Sequence, residues 1–185
     1  MPRLPAHDLD SAPQAARPHL EKALSSLGFV PNLYAQLAEA PTTLEAYLTL
    51  NRLFEQGSLD ARQRQLILLV TSVENGCGYC VPAHSVIAKQ MAGVPAEVVA
   101  AVREGQPLSD ARLEALRRFT LALLRHRGKV PDLELQAFLD AGHSQAQALE
   151  VVLGITIKTL SNYANRLAGT LAQPEFAAEA WTPRD

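Results

Sequence analysis

The run Glu74-Asn75-Gly76-Cys77-Gly78-Tyr79-Cys80-Val81-Pro82-Ala83-His84 gathers both cysteines of a 185-residue chain and one of its five histidines. A Cys-x-x-Cys spacing brings two sulfurs close enough to form a disulfide without large backbone movement. Free amides at the start of a helix stabilise a thiolate there. If the helix opens at Cys77, steps of about 100° per residue hold Cys77, Cys80 and His84 within roughly a 60° arc of one face. His84 then stands one turn beyond Cys80, where its imidazole can accept the thiol proton and later return it. On this spacing Cys80 is the nucleophile. Cys77, at the lip of the helix, is the resolving thiol that attacks the oxidised sulfur and meets an external reductant. Glu74, the only carboxylate in the stretch, is expected to orient His84 or to pass protons through water.

The same residue types serve other chemistry. Cys-x-x-Cys plus His supplies three zinc ligands, but the chain has no second Cys-x-x-Cys or His pair to provide a fourth. Three ligands from one helix also leave a metal poorly enclosed, so no metal or other cofactor is expected. A thioredoxin-like site needs the motif after a strand in a βαβ unit, and the sequence offers no such strand. Two small apolar residues that happen to be close is the remaining reading. His7, His19, His126 and His143 lie in polar, loop-like or basic surroundings and read as surface residues. Tyr79 reads as packing beneath the motif or shaping a pocket.

The elements that must hold these residues are helical. Ala and Leu dominate the apolar set and aromatics make up only 5% of the chain, a composition that suits close helix packing. Apolar spacing begins at Leu20 and stops at Gly28; a second helix follows Pro31, and a third, capped by Thr42 or Thr43, runs to Gly57. Asp60 signals a helix from about Ala61, which Asn75-Gly76 ends. The motif helix from Cys77 to Gly93 tolerates Pro82 near its start. Shorter helices after Pro95, Asp110 and Pro131 lead to the last long one, Ala146 to about Leu167, which Ser144 caps. Its middle is apolar on nearly every side, which marks a central helix. One domain is expected over residues 1–185, with an extended arm at 1–18 that can wrap a neighbour. Phe176 and Trp181 in the tail, 173–185, are expected to dock on the domain or on a partner subunit.

A formal charge of −2 provides no basic field for nucleic acid or an anionic membrane surface. The first residues lack the apolar core of a signal peptide, and runs such as Leu66 to Val70 fall short of a membrane span. The expectation is a cytoplasmic protein, in whose reducing compartment a close Cys pair cycles rather than staying oxidised.

The motif Asn75-Gly76-Cys77-Gly78-Tyr79-Cys80 with His84 resembles the alkyl hydroperoxidase D-like (AhpD-like) members of the carboxymuconolactone decarboxylase family, in particular their peroxidase-related branch. The likeness extends to Phe29-Val30-Pro31-Asn32-Leu33-Tyr34, Gly57-Ser58-Leu59, Ala115-Leu116-Arg117-Arg118-Phe119 and Ser161-Asn162-Tyr163-Ala164-Asn165. The resemblance implies an all-α fold of about eight to nine helices, assembled as a dimer, trimer or hexamer. It also implies a thiol-dependent peroxidase without haem or metal, acting on a hydroperoxide and reset by a dithiol or redoxin-like reductant. The family's peroxide-attacking Cys maps to Cys80, its resolving Cys to Cys77 and its motif His to His84. Many members carry a relay glutamate about twelve residues before the first Cys, where this chain has Gln65. An amide takes up no proton at neutral pH, so Glu74 is expected to substitute, or the relay is weakened. The Cys pair argues against lactone decarboxylation. The alternative is a zinc-binding or non-catalytic oligomeric module for a small ligand.

Overall fold

In the computed structural model, which describes residues 2–183, nine α-helices and one final 3-10 turn account for all regular structure among the described residues. The helices are α1 (Arg17–Leu27), α2 (Asn32–Leu37), α3 (Pro41–Glu55), α4 (Ala61–Glu74), α5 (Cys80–Gln90), α6 (Ala96–Arg103), α7 (Ala111–Arg125), α8 (Asp132–Asp140) and α9 (Gln145–Ala168). The 3-10 turn covers Pro174–Glu179. The fold is all-α, as expected, and none of its described helices is long and apolar enough to cross a membrane.

Two capping boxes start the helices that matter most. Asp60 accepts from the Gln63 amide while the Gln63 side chain returns to the Asp60 amide, and Ser144 and Gln147 do the same for α9. Each satisfies amides that would otherwise lack an acceptor. Ile67, Leu68, Leu69 and Val70 are four consecutive buried residues, a pattern that only a central helix can satisfy. α4 accordingly packs against α5, α7 and α9, and α9 also lies along α3. Gly154 makes that crossing close: a Cβ there would stand 2.8 Å from the Phe54 ring and 2.9 Å from Ile67.

Four expectations need correction. The motif helix starts at Cys80 rather than Cys77. The reason is the way α4 ends: Gly76 takes φ 63°, its amide bonds to the Val73 carbonyl and the Cys77 amide reaches back to Ser72. This pair of bonds closes α4 by a Schellman motif and uses up the backbone through Cys77 before a new helix can begin. The N-terminal arm lies on its own chain, with Ala12 and Ala16 buried, the His7 amide on the Ala35 carbonyl and the Arg3 amide on Ala168. His143 is buried, not superficial; its ring stacks on Phe138 at 4.4 Å and its Nε2 bonds to the Arg112 carbonyl. Pro41, at the first position of α3, starts that helix without a threonine cap.

Candidate active site

Cys77 sits in the turn between α4 and α5, Cys80 is the first residue of α5, and His84 follows one turn later. All three are buried; Cys77 and Cys80 are only 1% and 2% exposed. From α9 come Lys158, Asn162 and Asn165, spaced so that they share one stripe of the helix. Lys158 is 1% exposed, so its charge acts on its neighbours with little screening by water.

The contacts form two short polar groups, one at the sulfurs and one around His84. Asn165 Nδ2 donates to Cys80 Sγ at 3.2 Å. Lys158 Nζ lies 2.8 Å from His84 Nε2, and His84 Nδ1 lies 2.9 Å from Gln65 Oε1. An ammonium can only donate, so Nε2 accepts; the neutral ring then carries its proton on Nδ1 and gives it to the Gln65 oxygen. Burial and the Lys158 charge both push the His84 pKa well below its ordinary value, in keeping with that neutral form.

This geometry divides the two thiols. Burial opposes ionisation of Cys80, but a hydrogen bond from the Cys77 thiol, the Lys158 charge and the amides of Asn162 and Asn165 outweigh it, holding the Cys80 pKa down at about 5. Cys77 is pushed strongly up, because its thiol is the donor to Cys80 and because it is buried. Of the amides at the helix start, that of Cys80 points to Cys77 Sγ at 3.4 Å. Of the two, Cys80 is the thiolate near neutral pH.

Of the four residues singled out in the sequence, the structure brings together Cys77, Cys80 and His84 but not Glu74. The Glu74 carboxylate faces α7 and is held by Arg125, with contacts of 2.8 and 3.1 Å. Gln65 occupies the place beside His84 instead. Lys158 was missed, and the signal for it was a lone lysine in the apolar run Gly154-Ile155-Thr156-Ile157-Lys158-Thr159-Leu160. Among the described residues, no group of three His, Cys, Asp or Glu side chains is placed to hold a metal ion.

The tail crosses the outside of the motif turn. Tyr79 donates to Gln173 Oε1 at 2.7 Å, Phe176 meets the Tyr79 ring edge-on at 6.1 Å, and Glu179 pairs with Arg103 at 2.8 Å and with Lys89. A cavity of about 310 Å³ lies between tail and turn, lined by Gly78, Tyr79, Pro82, Phe176 and Trp181 among others.

Compared with known proteins, residues 36–124 match the carboxymuconolactone decarboxylase family. The whole chain also has the AhpD-like fold. It superposes on an AhpD-core, peroxidase-related protein from Ralstonia eutropha JMP134 with a TM-score of 0.86 at 24% identity, covering 99% of this chain and 98% of that one. A peroxidase-related protein from Silicibacter sp. TM1040 gives 0.80 at 19% identity, with 96% of each chain covered. The debrominase Bmp8, as a cysteine-to-alanine variant in complex with 2,3,4-tribromopyrrole, gives 0.78 at 20% identity, covering 96% of this chain and 95% of that one. A search of curated proteins returns no match. The carboxymuconolactone decarboxylase segment contains Gln65, both cysteines and His84, whereas Lys158, Asn162 and Asn165 lie beyond its end.

Proposed function

We propose that the protein is a thiol-dependent peroxidase in which Cys80 attacks the peroxide and Cys77 resolves the product. The observation that carries this reading is the division of the thiols: one sulfur beside a buried ammonium and two amides, the other donating to it. A thiolate, not a thiol, is the nucleophile. Cys80 sulfur attacks the terminal oxygen of ROOH; the S–O bond forms, the O–O bond breaks, and the alcohol leaves with a proton from the site. The Cys80 sulfenic acid then reacts with Cys77 to give the disulfide and water. A small dithiol or a redoxin-like protein returns the pair to its reduced state by exchange.

His84 enters this scheme differently from the sequence expectation. With Nε2 on Lys158 and Nδ1 on Gln65, it serves as a neutral brace for the lysine rather than as the base for Cys80. The family's peroxidase-related members support the reading at the level of fold, and the reading places the protein in a reducing, cytoplasmic setting as a homo-oligomer. The exposed face of α9 that carries Leu149, Tyr163 and Leu167, 73%, 62% and 58% exposed, is suited to a subunit contact, which light scattering would detect. Titration of free thiols before and after one equivalent of tert-butyl hydroperoxide tests the chemistry. Two thiols per chain should disappear without a mixed product. Thiols that stay titratable in excess peroxide, in a protein that turns over a brominated pyrrole, would move it to chemistry of the Bmp8 kind.

A further inference from the structure

Two atoms on the α9 stripe have capacity that the contacts so far leave unused. Asn165 spends its amide nitrogen on Cys80, yet its Oδ1 is buried with no hydrogen-bond partner among the described residues. A buried amide oxygen in that state forfeits solvation without recompense, which calls for an explanation. Lys158 has three donors, of which one is held by His84. Among the described residues it forms no ion pair with a carboxylate. Asn165 contacts the Cys80 sulfur, and the Lys158 charge acts on the same sulfur.

A hydroperoxide offers the complementary pattern: an O–H that donates on the oxygen to be attacked, and a second oxygen that becomes basic as the O–O bond breaks. We propose that Asn165 Oδ1 and Lys158 Nζ form a peroxide cradle, the asparagine accepting the peroxide O–H and the lysine protonating the departing oxygen. This rests on the peroxidase reading of Cys80 and assigns it an acid. The step balances. Cys80–S⁻, HO–OR and Lys158–NH₃⁺ give Cys80–S–OH, ROH and Lys158–NH₂; sulfur loses two electrons and the peroxide gains them. The hydrogen held by Asn165 stays on the transferred oxygen. Resolution by Cys77 sends the Cys77 thiol proton to that hydroxyl, which leaves as water. When a dithiol reduces the disulfide, two protons are released; one restores the Cys77 thiol and the other returns to Lys158.

Lysine as acid is separable from lysine as thiolate stabiliser. Alkylation of Cys80 by iodoacetamide needs only the thiolate, because iodide leaves without a proton. tert-Butyl hydroperoxide expels a basic alkoxide and needs the acid, whereas peracetic acid expels acetate and needs it little. The experiment measures all three second-order rates by stopped flow in wild type, Lys158→Met and Asn165→Ala, at a pH where each variant's thiol is fully ionised. Methionine keeps most of the buried volume without the charge, so the fold should survive. In Lys158→Met the tert-butyl hydroperoxide rate, relative to alkylation, should fall by about 100-fold or more, the range of general acid catalysis. The peracetic acid rate should fall by less than about 10-fold on the same basis. In Asn165→Ala both peroxide rates should drop together relative to alkylation, since both substrates carry the O–H. If all three rates in Lys158→Met change by the same factor, lysine acts only on the thiolate and the cradle is wrong. Wild-type protein whose Cys80 alkylates but resists every peroxide overturns the peroxidase reading itself, and the cradle with it.

Discussion

Charged groups are used in two opposite ways in this molecule. On the surface, around a groove of about 480 Å³ lined by parts of α4 and α7, each arginine of a small cluster faces a carboxylate: Arg125 on Glu74, Arg117 on Glu114, Arg118 on Glu134. Arg118 and Arg125 are 50% and 59% exposed, so water screens their pairs, and such pairs contribute at most about 1 kcal/mol each. Inside, Lys158 meets an imidazole and acts on a thiol through its charge. A buried cation without a carboxylate favours ionisation of whichever acid is nearest, and that acid is Cys80. The difference teaches where to look for chemistry: in the matched pairs charge is neutralised locally, whereas the unmatched cation makes a reactive anion.

The largest test of this contrast is Cys80→Ser, which should reduce peroxide consumption to the uncatalysed rate, while Cys77→Ser should stop after one turnover at a trappable sulfenic acid. Next comes Lys158→Met, for which the pH profile of iodoacetamide alkylation is the measurement. Its midpoint should leave the region of about 5 and move toward the ordinary thiol range, with at least about a tenfold loss of reactivity at pH 6. A midpoint that stays put would mean that Cys77 and the two asparagines suffice, and the contrast between inside and outside would lose its point.

A smaller effect concerns stability. The Cys80 pKa is lower in the folded than in the unfolded chain, so its contribution is fully present above the unfolded value of about 8.5 and is lost as pH falls through about 5. The lowered His84 pKa acts on the same acid side, because the unfolded chain binds its proton first. The urea midpoint of reduced wild type should therefore decline from pH 8 to pH 5, and Cys80→Ser should decline less. Smallest is Glu74→Gln, expected to leave peroxide rates within about twofold and to cost under about 1 kcal/mol. Gln65→Ala, which frees one side of the His84 ring, should have the larger kinetic effect. That order reverses what the sequence suggested, and a slow Glu74→Gln would return the carboxylate to the mechanism.

Helix number and most ends were legible because local chemistry sets them. Ser144 and Asp60 cap with their own side chains, Gly28 adopts φ 80° at the end of α1, and α9 runs within one residue of its expected bounds at both ends. The start of α5 was not, because it depends on hydrogen bonds that run backward from Cys77 to α4. In the site, the Cys pair and His84 were legible from spacing within a single stretch. Glu74 was misplaced for the complementary reason: closeness in sequence to Cys77 says nothing of which neighbour a side chain at the end of α4 will face. Lys158, Asn162 and Asn165 come from 74 or more residues further on than His84, and only the packing of α9 on α4 joins them to the thiols. Their spacing fits one stripe of a helix, but nothing in the sequence says what that stripe faces.

Gly154 stands one helical turn before Lys158, and the only thing it supplies is thinness. Its hydrogen lets α9 settle against Phe54 and Ile67 at a distance that a methyl group would forbid. Gly154→Ala would overpack that crossing, at a cost of about 1–3 kcal/mol, and relief would come by α9 rising from its bed. Lys158, Asn162 and Asn165 would travel with it as one rigid comb. An apolar change that touches no polar atom would then register as a weaker acid at Cys80. In this protein, the acidity of a sulfur is a gauge of the spacing between two helices.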